Sequence, residues 1–251
     1  MHRTLLVTLA ALGIGGFSEA RATDVYAVVG TLGYDLQRDP TPLIDFAIGE
    51  QCVYQELGIA EVIELVEQGV GPAVLEPGAY EAAVLEAGDG ECSGAPLVTG
   101  RADVPASPLP GATAANVATL VVAALDGNGA PKLRTFNLDT AALGGRRSRV
   151  TFFHSAAAPA LDLRLRRAGR SGNAFAGTGL DNGAQTFPTE LLGADYELLV
   201  SPASPKPGAF EEPFARIELP LQGGQSHAVV LIGSLERRTF DLVVLTAPTA
   251  P

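Results

Sequence analysis

The sequence predicts an all-β protein made of two tandem immunoglobulin-like antiparallel β-sandwich domains that follow a signal peptide. Three observations support this prediction: short apolar segments with a period of two, frequent turn residues, and an internal repeat. The 251 residues include 29 Gly and 18 Pro, which is too many for a helical protein and suits short strands separated by turns.

The first 22 residues have the composition of a secretory signal peptide. A charged start at Arg3 precedes an apolar run from Leu5 to Ile14, and Ala20–Ala22 places small residues where a signal peptidase reads. The apolar run is shorter than the roughly 20 residues that span a bilayer. We therefore predict cleavage before Thr23 and a secreted protein, periplasmic or extracellular, whose mature chain does not insert into a membrane.

Four phrases occur twice in the same order, which indicates a tandem duplication. The pairs are PLIDFAI (42–48) with PALDLRL (159–165), PGAYEAAV (77–84) with LGADYELLV (192–200), TLVVAAL (119–125) with HAVVLIG (227–233), and TFNL (135–138) with TFDL (239–242). The Gly-Arg segment 143–148 differs from its flanks. We therefore predict one β-sandwich over 23–143 and a second over 144–251.

The period of two is clearest in the second copy, where leucines and charged residues alternate over 161–166. This alternation is typical of a half-buried antiparallel strand. More continuous apolar runs, such as 119–125 and 227–233, suit central strands. The segment Ile59–Gly69 has a spacing that a helix or a strand could satisfy, and its Gly-rich counterpart in the second copy favours a strand.

Asp45 and Asp162 lie at equivalent points of an early strand in the two copies. Their apolar neighbours are expected to face the core, which would leave the two carboxylates facing outward. Each Asp could accept a hydrogen bond from a backbone amide or pair across the sheet with an Arg. We predict a structural role for both residues rather than a catalytic one.

The chain contains two cysteines, Cys52 and Cys92. An even number of cysteines in an exported chain predicts a disulfide, and closing this loop stabilises by about 4 kcal/mol in the chain-entropy model. The alternative is two separate buried thiols. A metal site is disfavoured because two Cys without a nearby His do not complete a four-ligand set.

The stretch RVTFFHSAAAPALDLRL (149–165) resembles the opening signature of a secreted bacterial family, domain of unknown function 4397. A strand ending in His154, the segment Gly78–Tyr80, the looser Gly193–Tyr196 and the closing HAVVLIGSL carry the resemblance, and CSG at 92–94 is similar to a variant of the family. The resemblance implies exported modules, often in tandem, without established chemistry. The first copy departs from it, with Gly30 in place of His154.

We predict no catalytic residues and no cofactor. The mature chain has two histidines, and each has a serine beside it in sequence, as Ser155 follows His154 and Ser226 precedes His227. Adjacent residues of a strand point to opposite faces, so neither pair can form a Ser-His catalytic device. We expect His154 to bond to the backbone instead.

The sequence predicts at most weak metal binding. Asp126–Gly129, DGNG, lacks the spacing of an EF-hand and is predicted to form a hairpin turn. Asp35 and Asp39 could bind calcium weakly in a loop. Other acidic residues, including Glu211 and Glu212, have no recognisable carboxylate partner, so glycoside hydrolysis has no support in the sequence.

Charge divides unequally between the copies: residues 23–143 carry 17 Asp and Glu against 4 Lys and Arg, and residues 144–251 carry 10 against 11. So acidic a protein is a poor partner for nucleic acid. Six arginines of the second copy either contact the acidic first copy or lie on a solvated surface. They are Arg146, Arg147, Arg149, Arg164, Arg166 and Arg167.

These observations predict an exported non-enzymatic binding or structural module of the cell envelope or extracellular space, with a protein or glycan ligand. The loops Thr31–Pro42 and Ala203–Pro213 are candidate contact surfaces because loops vary without disturbing a core. One alternative is a secreted hydrolase that uses dispersed carboxylates. Another is an envelope chaperone or inhibitor that pairs an open sheet edge with a partner strand.

Overall fold

The computed structural model describes residues 23–30, 32, 43–58, 73–105, 116–206 and 208–249. Within these residues the protein is all-β, as predicted, and contains strands but no α-helix. Three predictions fall outside the described part: the signal peptide, the segment Ile59–Gly69, and most of the loop Thr31–Pro42 with Asp35 and Asp39.

The described residues form sixteen strands, eight in each half of the chain. The first half contains β1 (Thr23–Val29), β2 (Leu43–Ile48), β3 (Gln51–Gly58), β4 (Ala73–Leu75), β5 (Gly78–Glu86), β6 (Pro96–Val104), β7 (Val117–Leu125) and β8 (Pro131–Asp139). The second half contains β9 (Arg147–His154), β10 (Leu161–Arg167), β11 (Phe175–Leu180), β12 (Thr189–Leu192), β13 (Ala194–Pro202), β14 (Ala215–Leu221), β15 (Gln225–Ile232) and β16 (Asp241–Pro248).

The two halves have the same topology. The first half forms an outer sheet with strand order β3-β2-β5-β6 and an inner sheet with order β4-β1-β7-β8. The second half forms an outer sheet with order β11-β10-β13-β14 and an inner sheet with order β12-β9-β15-β16. Strand n of the first half therefore corresponds to strand n+8 of the second. One detail of the prediction is wrong: the sheets are not wholly antiparallel, because β1 pairs with β7 and β9 with β15 in parallel.

The repeated phrases lie in corresponding strands, with one shift. The first three pairs lie on β2 and β10, on β5 and β13, and on β7 and β15. In the fourth pair, Thr135–Leu138 lies within β8, whereas Thr239 and Phe240 precede β16.

Alternation along β10 decides which side chains enter the sandwich core. Leu161, Leu163 and Leu165 are fully buried against the second half's own core, whereas Arg164 and Arg166 remain partly exposed on the other face. This is the period-two pattern expected of a strand with one buried face. Strand β7 differs, because all nine of its residues are buried.

The inner sheets are buried on both faces because they pack against each other. Along β15, Val229 and Leu231 belong to the core of the second half, whereas Ala228, Val230 and Ile232 belong to the core cluster of the first half. The four sheets therefore stack in the order outer, inner, inner, outer. Such two-sided burial explains why β7 and β15 are continuously apolar in sequence.

Apolar side chains of the two halves also contact each other directly. Phe136 of β8 and Phe153 of β9 pack edge to face across the two halves, with ring centroids 5.1 Å apart. A β-carbon added at Gly30 would lie 3.4 Å from the β-carbon of Ile232. One hydrophobic core thus spans the first half and the facing side of the second.

Polar side chains from the β11–β12 connection border this apolar interface. Gln185 receives a hydrogen bond from the backbone amide of Asn137 at 3.4 Å and donates one to its carbonyl at 3.3 Å. Asn182 accepts a hydrogen bond from Arg134 and donates to the Ala156 carbonyl at 2.6 Å. Gln185 therefore satisfies both backbone groups of Asn137 on the edge strand β8, and Asn182 contacts the Arg134 side chain of the same strand.

The turn between β7 and β8 confirms the predicted hairpin. Asp126 Oδ1 accepts hydrogen bonds from the amides of Asn128 and Ala130, and Gly129 adopts a positive φ of 79°. The hydrogen bonds from Ala130 and Asn128 lower the pKa of Asp126.

In the part of the chain that is described, no helix has the length and apolar character needed to cross a membrane.

Candidate functional site

Asp45 is a structural acceptor in the first outer sheet. Its side chain is 2% exposed, and its carboxylate accepts hydrogen bonds from the Glu56 amide at 3.0 Å and the Cys92 amide at 3.2 Å. Glu56 lies at a β-bulge of β3, with a positive φ of 53°. The carboxylate lies on the outward face of β2, opposite its core neighbours Ile44 and Phe46, but it is not exposed, because the segment carrying Cys92 covers it.

Asp162 has the corresponding arrangement in the second outer sheet. Its side chain is 1% exposed, and its carboxylate accepts hydrogen bonds from the Gly179 amide at 2.8 Å and the Ser204 amide at 3.0 Å. Gly179 lies at a bulge of β11, with a positive φ of 65°. Asp162 therefore also lies on the outward face of its strand but is buried there, and both of its oxygens are used by the backbone.

The predicted disulfide joins Cys52 of β3 to Cys92, with 5.5 Å between their Cα atoms. Among the described residues, one group of three potential metal ligands comes together, namely Asp45, Cys52 and Cys92. Its two sulfurs are bonded to each other, whereas a metal site requires thiolates. The disulfide and the hydrogen bond to Asp45 therefore attach the segment that carries Cys92 to the first outer sheet.

The two repeated tyrosines make the same contact. The Tyr80 hydroxyl donates to the Glu76 carbonyl at 2.7 Å, and the Tyr196 hydroxyl donates to the Leu192 carbonyl at 2.9 Å. Each bond reaches back four residues, to the residue after β4 in the first half and to the last residue of β12 in the second, and holds that corner of the sandwich. Burial raises the pKa of Tyr196, and this contact is structural in both halves.

Both described histidines are buried and bonded within the second half. His154 Nε2 lies 3.0 Å from the Pro159 carbonyl and His227 Nδ1 lies 3.1 Å from the Thr246 hydroxyl. Burial lowers the pKa of each ring from its ordinary value of 6.5. Since the exposed fraction is 0% for His154 and 1% for His227, neither ring is open to a substrate.

Arg149 lies at the boundary between the two halves. Its guanidinium is buried and contacts Asp139 of β8 at 3.1 Å and Glu190 of β12 at 3.1 Å. It also donates to the Ala141 carbonyl at 2.8 Å. The carboxylates of Asp139 and Glu190 therefore balance the charge of this buried cation, and the carbonyl accepts a hydrogen bond from it.

The remaining predicted arginines have surroundings of other kinds. Arg164 stacks on the Phe210 ring, 4.7 Å from its centroid, and donates to the Glu211 carbonyl at 3.4 Å. Arg166 donates to Asn173. These contacts lie within the second half. Arg146, Arg147 and Arg167 are exposed.

A cleft of about 390 Å³ opens beside β11, at the edge of the second outer sheet. It is bounded by β11 itself on one side and by residues 184–187 and Thr189 on the other. Phe175 stacks on the core residue Phe152 with ring centroids 5.3 Å apart, and Phe187 is 92% exposed. The cleft therefore combines an apolar base, an exposed aromatic ring and an open strand edge.

Strand β11, FAGTGL, is unusual among the described edge strands. Every other edge strand of four or more residues contains at least one charged residue or Pro, whereas β11 contains none. Natural proteins place charges and Pro on edges to prevent pairing with another chain. The Phe175 ring packs closely over Gly177, since a β-carbon there would lie 3.0 Å from the ring.

The sequence analysis assigns no role to β11. Its residues form a short uncharged segment between two turns, but whether such a segment lies at the edge of a sheet depends on which strands pair with it. The predicted contact loop Ala203–Pro213 instead contributes structure, because Ser204 bonds Asp162 and Phe210 covers Arg164.

No protein-family model and no curated protein matches the chain. Among solved structures it is similar to a "putative cell adhesion protein" from Bacteroides uniformis ATCC 8492, with 9% identity, coverage of 92% of this chain and 100% of that chain, and a TM-score of 0.26. A "putative cell adhesion protein" from Bacteroides ovatus ATCC 8483 has 7% identity, coverage of 92% and 98%, and a TM-score of 0.22. At these TM-scores the likeness assigns neither a family nor an activity.

Proposed function

We propose that the protein is an exported non-enzymatic binding module and that its second half binds an extended segment of a protein ligand at the edge of β11. The observation that carries this proposal is the uncharged open edge beside a cleft of about 390 Å³. An added strand would gain backbone hydrogen bonds from β11, and the cleft would receive its inward-pointing side chains.

A non-enzymatic role is supported by the way the reactive groups are used. Asp45 and Asp162 direct their carboxylates to backbone amides, and His154 and His227 are buried with ring nitrogens bonded inside the protein. General acid-base chemistry requires a group within reach of the substrate. These four residues therefore serve the fold.

Export is supported by the Cys52–Cys92 disulfide, since such bonds persist in oxidising compartments. The predicted signal peptide, with cleavage before Thr23, provides the route. We further propose membership in the domain of unknown function 4397 family. Support comes from its quoted phrases, which lie on corresponding strands of a duplicated topology.

A phage-displayed library of random ten-residue peptides provides the test. Peptides selected on the mature chain should bind at least ten-fold more weakly to Thr178→Lys, which places a charge on the exposed face of β11, and to Phe187→Ser. Thr99→Lys is the matched control, because Thr99 is exposed on β6 of the other half. N-methylation of alternate peptide amides should also abolish binding, since strand addition requires those groups.

Equal affinity for the β11 variants and for the wild-type chain would refute the proposed site. A glycan array, probed with the same protein, covers the other ligand class. Binding of glycans without binding of any peptide would refute the protein-ligand proposal.

A further inference from the structure

We infer that the strand added at the β11 edge is β11 of a second copy of this chain, so that two second halves join their outer sheets. The inference rests on the proposed function, because it uses the same open edge. The three features that carry it are the symmetry of an antiparallel strand pair, the placement of charge at the two ends of β11, and the exposed Phe187.

An antiparallel pair of identical strands is related by a two-fold axis, which is the commonest symmetry of protein dimers. Side chains alternate over the first four residues of β11, which precede the bulge at Gly179: Ala176 and Thr178 are exposed, and Phe175 and Gly177 are partly covered. A two-fold axis at Gly177 keeps the same face outward in both copies. It sets Ala176 of one copy opposite Thr178 of the other and continues the two outer sheets as one.

The charges flanking β11 are complementary under this symmetry. Arg167 ends β10, Arg170 lies in the turn that leads to β11, and Asp181 follows β11 directly; all three are exposed. Antiparallel pairing brings the arginine turn of one copy to the Asp181 end of the other, twice per dimer. Parallel pairing would place like charges together, so the charges favour the antiparallel dimer.

Phe187 lies on the segment that forms the other wall of the cleft, on the same side of the sandwich as β11. With 92% of its surface exposed in one copy, it is available to contact the neighbouring copy. Pairing of two copies would cover this ring, which adds an apolar contact to the backbone bonds of the strand pair.

Sedimentation equilibrium of the mature chain tests the inference. We expect a dimer whose dissociation constant rises at least ten-fold in Arg170→Asp and in Asp181→Arg, with recovery in the double variant because the opposite charges are restored. Thr178→Lys should also weaken the dimer, and Thr99→Lys should leave it unchanged. A monomer at millimolar concentration, or charge variants that dimerise as the wild-type chain does, would overturn the inference.

Cysteine trapping reports the register. The described chain has no free cysteine, and side chains directly opposite in an antiparallel pair have Cβ atoms about 5 Å apart, within reach of a disulfide. A mixture of Ala176→Cys and Thr178→Cys should oxidise to the mixed dimer faster than either variant alone, and Thr99→Cys should not. Linkage at the rate of Thr99→Cys would count against the pairing.

The peptide selection separates the two proposals. A monomeric chain that still binds extended peptides at β11 refutes the second-copy inference and leaves the proposed function standing. A monomeric chain whose selected peptides ignore the β11 variants refutes both.

Discussion

Asp45 and Asp162 occupy the same structural position in the two halves, 117 residues apart. Each bonds one carboxylate oxygen to a residue of positive φ in a bulged edge strand and the other to the amide of a following loop. The repeated Asp is therefore the acceptor that holds a bulge and a loop together. It explains why the duplicated unit retains an acid between two apolar residues.

We predict that Asp162→Ala lowers the free energy of unfolding by about 3 kcal/mol, because two hydrogen bonds to a charged acceptor are lost and the Gly179 and Ser204 amides lose their acceptor. Urea denaturation of the mature chain measures the change. Asp195→Ala is the control, since Asp195 is exposed on β13. Equal stability of the two variants would contradict the role assigned to Asp162.

The shared core predicts that the two halves unfold together. Val230 is fully buried in the cluster that contains the first half's core, so wild-type protein should give a single calorimetric transition. Val230→Asp places an unpaired charge in this interface, costs several kcal/mol and should separate the transition into two. Val74→Asp, at a 57% exposed position, should leave one transition. Two transitions in the wild-type chain would contradict a shared core.

The buried histidines predict a loss of stability in mild acid. Burial lowers the folded-state pKa of His154 and His227 below 6.5, so the unfolded chain binds more protons as the pH falls. Their stabilising effect is complete above pH 6.5 and decreases as the pH falls toward the folded-state pKa. Between pH 6.5 and 5.5 each ring therefore lowers the free energy of unfolding as the pH falls.

Denaturation curves of wild-type protein and His227→Gln at pH 8.0, 6.5 and 5.5 check this prediction. The variant should lose less stability between pH 6.5 and 5.5 than the wild-type chain, whatever its stability at pH 8.0. Parallel loss in both proteins would show that His227 does not titrate on unfolding.

Much of the fold could be predicted because short-range sequence patterns specify its strands and turns. The alternation over Leu161–Arg166 predicts β10, the pair Cys52 and Cys92 predicts the disulfide, and the DGNG turn predicts the β7–β8 hairpin. The continuous apolar run in β7 also indicated a central strand. It did not indicate that the facing sheet would come from the other half.

The candidate site could not be predicted in the same way. Strand β11 is an edge strand because no other described strand pairs with its free side. The composition of residues 175–180 does not indicate this position. Burial of Asp45 likewise depends on a loop that carries Cys92, 47 residues away. Such relationships arise from contacts between distant segments.

By itself, the sequence determined that the chain is all-β, that it contains a duplicated unit, and that its two cysteines pair, because periodicity, repeated phrases and residue counts are properties of the chain. Only the tertiary structure decided which sheets face each other, that the two halves share a core, and that β11 is left open. The physical reason is that alternation tells each side chain which face it occupies, whereas the surface that covers that face is supplied by residues far away in sequence.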